Sequence, residues 1–522
     1  MTRAGKPHAL FSVSDKTGVV DFARTVAANG FVILSTGGTA KALRDGGIEV
    51  VDVADYTGYP EMMDGRLKTL HPMVHGGLLA RRDDQAHVAA MEEHGMASID
   101  LVVVNLYPFE ATVQKPDVTR DAAIEQIDIG GPTMLRSAAK NHASVTVVCD
   151  PTDYERVAAA IDAGDVPETL RRDLARKVFA HTASYDAAIA RWLAKNDAGE
   201  AFPDVWITSM RRERELRYGE NPHQRAAFYV DPSARPDTIA GARFLGSNKE
   251  ISYNNLLDLD AALALIREFT PDIAACAILK HNNPCGAGLG SNLAIAFRNA
   301  LSGDPVSAFG SIVSTNVPVD RLAANEIAKP GNFVEALIAP AVDDDALEIL
   351  RSAKFGKNLR ILVTGPIGAD TDTQVVRAVA GGLLVQDSDT ARVRPELEYV
   401  TTRRPDGEEM RDLRFAWAIC KHVRSNAIVL AKADTIVGVG AGQMSRVDSV
   451  RIATHKAEDR SQGSVLASDA FFPFPDGIEL AAERGVRAVI QPGGSRKDDE
   501  VIAAADRAGV AMVFTGRRHF RH

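Results

Sequence analysis

The sequence is poor in cysteine, in long apolar runs and in surplus positive charge, and each shortage excludes something. Four cysteines, Cys149, Cys276, Cys285 and Cys420, are spread over more than half of the 522 residues. No disulfide framework fits that spread, which reads as thiols kept reduced in a cytosol. The longest apolar stretches, such as Leu101 to Val104 and Ala274 to Leu279, fall far short of a membrane span. The basic start, Met1-Thr2-Arg3-Ala4-Gly5-Lys6-Pro7, leads into no apolar signal core. Basic side chains number 60 against 69 acidic ones, a formal charge of −9, so no broad basic face for nucleic acid is expected. A small anionic substrate held by a few focused cations is compatible with that balance. These shortages predict a cytoplasmic, soluble protein with neither membrane nor nucleic-acid partner.

What is present is ordinary folding material, 45% apolar and 25% charged residues, in a length that predicts two to four domains. Residues 9–150 alternate β-rich runs with helical patterns. Ala9 to Val13, Phe31 to Leu34, Val50 to Val53, Asp100 to Leu106 and Ser144 to Val148 read as strands, and Lys16 to Asn29 as a helix. Such alternation implies a parallel sheet covered by helices. Pro167 to Lys195 is helical in pattern, and the polar Asn196-Asp197-Ala198-Gly199-Glu200 follows it. The mixed-sign run Arg211-Arg212-Glu213-Arg214-Glu215 reads as a solvated connector, so a domain boundary is expected within 196–215.

The rest of the chain is again α/β, with two echoes that point to a duplication joined near 355–400. Lys280-His281 and Lys421-His422 each follow an apolar, strand-like run. Ser302 to Gly310 and Ser468 to Phe474 share a loose Asp…Ala-Phe pattern.

Candidate chemistry falls in two groups. In the first, Ser35-Thr36-Gly37-Gly38-Thr39 joins a strand to a helix start, where glycines, hydroxyls and free N–H groups suit an anion. Ser12, Ser14 and Lys16 close the first strand, Arg66 and Lys68 share a loop, and Asn105 and Tyr107 follow another strand. Ile127-Asp128-Ile129-Gly130-Gly131-Pro132 enters a helix carrying Lys140. In open α/β sheets ligands bind beyond the carboxyl ends of strands, so these clusters are expected to converge.

In the second group, Lys280-His281 at a strand end supplies a fixed charge and a titratable proton carrier. His281 and Cys285 invite a zinc reading. The deaminase pattern also needs a glutamate after the His and a second thiolate, both missing, so no metal is expected and Cys285 reads as packing. Gly286-Ala287-Gly288-Leu289-Gly290 and Gly438-Val439-Gly440-Ala441-Gly442 break the dinucleotide-binding spacing and read as tight turns. The basic end, Thr515 to His522, reads as a frayed tail.

Taken together, Phe11-Ser12-Val13-Ser14-Asp15-Lys16-Thr17-Gly18, Arg66-Leu67-Lys68-Thr69-Leu70-His71-Pro72, Asn105-Leu106-Tyr107-Pro108-Phe109 and Ile127-Asp128-Ile129-Gly130-Gly131 resemble the cyclohydrolase half of the bifunctional purine biosynthesis family. Arg217-Tyr218-Gly219-Glu220-Asn221-Pro222-His223-Gln224, Lys280-His281, Gly440-Ala441-Gly442-Gln443 and Asp469-Ala470-Phe471-Phe472-Pro473-Phe474 resemble its transformylase half. The resemblance runs in order over nearly the whole chain. It implies AICAR formyltransferase and IMP cyclohydrolase activities, with 10-formyltetrahydrofolate as co-substrate, AICAR, FAICAR and IMP as the other small molecules, and a homodimer. It also implies a methylglyoxal-synthase-like parallel-sheet domain over 1–199. Two cytidine-deaminase-like α/β subdomains without the deaminase zinc would fill 200–522.

Carried over residue by residue, the resemblance places Ser12, Ser14, Lys16, Ser35, Thr36, Gly37, Gly38, Arg66, Lys68, Thr69 and Asn105 on the cyclohydrolase nucleotide. Lys140, Tyr107 and Asp128 would handle its protons. Lys280 matches the transition-state stabiliser, His281 the base, and Asn426 a further catalytic position. Arg217, Tyr218, Asn255, Gly310, Glu335, Arg446, Phe471 and Arg518 fall where the family contacts the AICAR nucleotide, and Val447, Asp476, Ser495 and Arg496 near the folate. Two other readings compete: a nucleotide-binding sensor with degenerate sites, and a deaminase-like hydrolase.

Overall fold

A computed structural model describes residues 5–115, 117–196, 202–368, 374–389 and 396–522. The chain divides into two units, Met1–Met210 and Arg211–His522. Most of the polar stretch expected as a connector lies outside the described residues.

The first unit is built on five parallel strands: β1 (His8–Val13), β2 (Val32–Ser35), β3 (Val51–Asp52), β4 (Ile99–Asn105) and β5 (Thr146–Val148), in the order β3-β2-β1-β4-β5. The interior strand β4 is buried along six consecutive residues, as a strand covered on both faces must be. Strand order reverses between β1 and β4, which leaves a crevice beyond their carboxyl ends. The helix expected from Lys16 begins at Val19 instead, because Ser14 to Gly18 form the loop that enters it. The long helix Glu168–Asn196 packs Leu174, Ala175, Val178 and Tyr185 into the unit's core.

The second unit opens with a two-stranded ribbon of β6 (Arg211–Leu216) and β7 (Ala226–Val230). The charged run taken for a connector is therefore a strand, solvated through its first five residues, with Arg212 paired to Glu215 at 2.8 Å. A 12-stranded sheet follows. Its first half holds β8 (Arg243–Phe244), β9 (Ala274–Lys280), β10 (Asn283–Gly290), β11 (Ser311–Thr315), β12 (Val334–Ala339) and β13 (Arg360–Val363). A separate ribbon, β14 (Gln374–Val379) and β15 (Gly382–Asp387), intervenes. The second half holds β16 (Glu398–Tyr399), β17 (Ile428–Lys432), β18 (Thr435–Gly440), β19 (Val465–Ser468), β20 (Ala488–Gln491) and β21 (Ala511–Phe514).

These halves are duplicates. One runs β8-β13-β12-β11-β9-β10 and the other β16-β21-β20-β19-β17-β18, and every corresponding pair has the same sense. They join where β10 meets β18 at Gly288 and Thr435. Helices Tyr253–Ile266 and Gly407–Cys420 occupy equivalent places, each opened by a capping box, and share one core across both halves. Separate helix sets cover the opposite face of each half.

The two halves share one strand order, yet the motifs that pointed to a duplication are not equivalent. Lys280 ends strand β9, whereas Lys421-His422 follows the helix Gly407–Cys420, not a strand. Asp304 to Phe309 precede β11, whereas Asp469 to Phe474 follow β19. The matching segments are the two glycine-rich stretches taken for tight turns. Gly286, Gly288 and Gly290 lie inside β10, and Gly438 and Gly440 inside β18. A Cβ on Gly286 would sit 2.1 Å from the Ala300 carbonyl, and one on Gly438 2.1 Å from that of Ala453. Each glycine lets the following helix lie against its strand. Only Gly442, with φ of 67°, marks a turn.

Candidate functional site

In the first unit the expected clusters converge. A cavity of about 700 Å³ lies beyond the carboxyl ends of β1, β2 and β4. Ser12, Ser14 and Lys16 line it from β1, Thr36 and Gly38 from β2, and Asn105 and Tyr107 from β4. Arg66, Lys68, Thr69 and Asp128 join the lining from loops. The helix Gly37–Asp45 starts here with no side chain capping its first N–H groups, a favourable end for an anion.

Not every expected residue faces the cavity. Ser35 is buried and spends its hydroxyl on the Phe11 carbonyl at 2.8 Å. Gly37 serves by its left-handed φ of 54°, which turns the chain under the Lys68 ammonium. Lys140 closes the helix Gly130–Lys140 at its far end, ~15 Å along the axis from Gly130, and is not part of the lining. Asn105 acts as a clasp, its Oδ1 accepting from the N–H groups of Ser14 (2.6 Å) and Asp15 (2.9 Å).

The electrostatics suit proton handling next to bound charge. Burial raises the Asp128 pKa, opposed by the N–H of Gly131 at 2.8 Å, the Tyr107 backbone and the charge of Lys68. A Cβ on Gly131 would come within 2.4 Å of Asp128 Oδ2, so glycine is required there. Tyr107 is raised by burial and by the carboxylates of Asp128 and Glu61, and Lys16 is lowered by burial. Two residues missed in the sequence matter. Tyr185, on the long helix, accepts from the Asp128 N–H at 2.8 Å and donates to the Gln126 carbonyl at 2.9 Å, propping the Asp128 loop. Glu125 lines the cavity and forms an ion pair with Arg66.

In the second unit, β9 and β10 are joined by a two-residue loop, His281-Asn282, with φ of 52° and 61°. Positive φ at both positions is the geometry of a tight hairpin, and it presents His281 exposed at the tip. Lys280, just before it, donates to the Phe309 carbonyl at 2.9 Å, next to Gly310. Beside them Glu335 accepts from Asn255 Nδ2 at 3.2 Å and stands 3.9 Å from Arg360. Arg360, unforeseen in the sequence, is buried, is held by the Glu250 carbonyl and feels the charge of Arg217. Arg217 itself donates to the Tyr218 hydroxyl at 2.7 Å and stacks on its ring.

A second set gathers on the other half. Buried Arg446 donates to Asp469 (2.6 Å), Ser468 (2.7 Å) and Asn426 (2.7 Å). The C-terminal segment is not frayed. His519 is buried, its N–H donates to the Asp469 carbonyl, and Ser425 and Arg521 exchange bonds. Arg518 stays exposed over the Phe520 ring, and Phe471 is exposed just after Asp469. Val447 adjoins Arg446, whereas Asp476, Ser495 and Arg496 lie farther along, beyond the ends of β19 and β20.

Burial pushes the Cys285 thiol up to about 12, and its sulfur donates to the Ile278 carbonyl, so it packs as a protonated thiol. All four cysteines are free. Among the described residues no group of three His, Cys, Asp or Glu side chains is placed to hold a metal, and no helix is long and apolar enough to cross a membrane.

Fold and site together define a two-unit α/β enzyme, one unit with a cation-lined crevice and the other with a duplicated sheet and a Lys-His tip. Comparison with known proteins makes this specific. A model of the AICARFT/IMPCHase bienzyme family matches residues 138–456, and one of the MGS-like domain matches 18–133. A bifunctional purine biosynthesis protein PurH of Parvibaculum lavamentivorans is 55% identical over 98% of this chain and 97% of its own. One of Bacillus cereus is 50% identical over 99% and 100%. A solved structure titled crystal structure of ForH aligns with 37% of this chain and 100% of its own at 36% identity, with a TM-score of 0.35. The chain belongs to the AICARFT/IMPCHase bienzyme family: it is a bifunctional enzyme of purine biosynthesis, joining an AICAR formyltransferase to an IMP cyclohydrolase.

Proposed function

We propose that the two activities are divided between the two units, with ring closure in the first and formyl transfer in the second. The supporting observation is that each unit gathers its own chemically complete set, Lys16, Arg66, Lys68, Tyr107 and Asp128 in one, and Lys280, His281, Arg217 and Glu335 in the other.

In formyl transfer the 5-amino nitrogen of AICAR attacks the formyl carbon of 10-formyltetrahydrofolate. His281 takes the amine proton, Lys280 steadies the oxyanion, and tetrahydrofolate leaves with a proton on its nitrogen. Arg217 and Arg446 bring positive charge for the nucleotide phosphate, with Phe471 and Arg518 at the rim. In ring closure the carboxamide nitrogen of FAICAR attacks the formyl carbon of the same molecule, and water leaves. Holding one formyl rotamer supplies most of the advantage. Asp128 and Tyr107 exchange the protons while Lys16, Arg66 and Lys68 hold the phosphate. The protein works in the cytoplasm and as a homodimer, the second reading supported by the β14–β15 ribbon, which exposes Val375, Val376, Val379, Leu383 and Leu384.

Two variants in a coupled assay test the division. His281→Ala should lose formyl transfer and keep ring closure of added FAICAR, and Asp128→Asn should do the reverse. Loss of both activities in either variant, or the crossed result, would sink the assignment.

A further inference from the structure

The His281 tip is held from two sides. Asp258, on the helix Tyr253–Ile266, accepts from the Asn282 N–H at 2.7 Å, and its carboxylate also faces the His281 N–H. Asn283 donates to the His281 carbonyl at 3.1 Å and accepts from the Arg424 N–H at 3.0 Å, which ties the tip to the segment carrying Asn426. The duplicated half repeats the first of these tethers. There the loop Ala433-Asp434 joins β17 to β18 with φ of 53° and 57°. Asp412, on the equivalent helix, accepts from both loop N–H groups at 2.8 Å. One carboxylate thus pins a left-handed two-residue loop in each half, but only the first loop carries a histidine.

Left-handed backbone on a residue other than glycine is costly and persists only where its surroundings fix it. Without its acceptor, the first loop would relax and carry the imidazole with it. From this we infer that Asp258 is a positioning residue for formyl transfer, holding the His281 imidazole on its line of attack, while Asp412 performs the same backbone task with no chemistry attached. The inference rests on the reading of His281 as the proton acceptor.

The two halves supply a matched test. In the full-length protein, Asp258→Ala is expected to lower kcat for formyl transfer by ~10- to 100-fold, the cost of a misplaced group, with the nucleotide KM little changed. Asp258→Asn, which keeps an acceptor, should recover kcat to within about fivefold of the parent. Asp412→Ala should shift the urea midpoint as much as Asp258→Ala while leaving formyl-transfer kcat within about twofold, because the tether is the same but the loop bears no reacting group. Ring closure, in the other unit, should be unchanged in all three. Where Asp258→Ala lowers the folded yield, Asn283→Ala cuts the second tether and carries the same kcat expectation. Equal kcat losses in Asp258→Ala and Asp412→Ala, or a normal kcat in Asp258→Ala, would overturn the inference. Normal formyl transfer in His281→Ala would instead overturn the reading of His281 itself.

Discussion

Arg66 is expected to hold substrate phosphate, and its guanidinium is paired with Glu125 in the cavity lining. Ligand must therefore displace a carboxylate before it gains the guanidinium, and Glu125→Gln should remove that competition. The magnitude follows from exposure. The two side chains are 68% and 55% exposed, so the pair belongs with solvated ion pairs worth ~0.2–1 kcal/mol. Returning that energy to binding should tighten IMP by about 1.4- to 5-fold. A dianion also escapes one nearby negative charge, a contribution that salt removes as the screening length falls from about 8 Å at 0.15 M to about 3 Å at 1 M. Calorimetric titration of IMP at both salt concentrations reads the two parts separately, with Glu92→Gln, an exposed carboxylate on the helix Gln85–Glu93, as the control. Tighter binding at low salt that shrinks at high salt is the expected pattern. Weaker IMP binding in Glu125→Gln would refute the reasoning, because it would make Glu125 a ligand to the nucleotide and not a rival for Arg66.

Other perturbations probe the rest of the molecule. Because burial raises the Asp128 pKa, its carboxylate gains a proton as pH falls through a value above the ordinary ~3.9. The acid limb of kcat/KM for ring closure should therefore lie above that value, and a limb at or below it would contradict the assignment. Glu268 holds Lys421 at 2.8 Å and His422 at 3.0 Å, with the three side chains only 14%, 9% and 8% exposed. Glu268→Ala leaves the ammonium buried and unpaired, and should cost ~3–5 kcal/mol in urea unfolding. Gly440→Ala puts a Cβ 2.0 Å from the Ser449 carbonyl and should cost ~1–3 kcal/mol or more. Gly407→Ala, with nothing within 4 Å, should be neutral or stabilise by ~0.5 kcal/mol in the same assay.

The parallel sheet of the first unit was legible because its strands are runs of Val, Ile and Leu separated by turn residues, and its site because the polar clusters fall at strand ends. Local pattern failed where packing decides. Ala416 to Cys420 is as apolar as a strand, but the capping box Asp406–Glu409 starts a helix of 14 residues through it. A short apolar run does not separate the two states by itself. Glycine inside β10 and β18 looks like turn sequence until the helix lying on it is seen. Tyr185 and Arg360 act on groups 57 and 25 residues away, through bonds to Asp128 and toward Glu335, and no local motif marks either. The C-terminal segment resembled a loose basic tail because its anchors, Ser425 and Asp469, lie far back in the chain.

The duplication also shows which positions the fold dictates and which it leaves to chemistry. In both halves glycines face the helix that follows, and in both an aspartate meets the loop N–H groups, since close packing and buried polar groups allow few substitutes. Loop tips answer to neither demand. They must adopt positive φ, which His, Asn, Ala and Asp all manage here, and their side chains meet different surroundings, Asp434 pairing with Arg411 at 3.1 Å while His281 stays exposed. The same scaffold therefore carries His281-Asn282 in one half and Ala433-Asp434 in the other. On the proposed assignment the reacting imidazole of His281 stands on such a tip, and the task of holding it falls on Asp258, which binds the loop backbone at 2.7 Å.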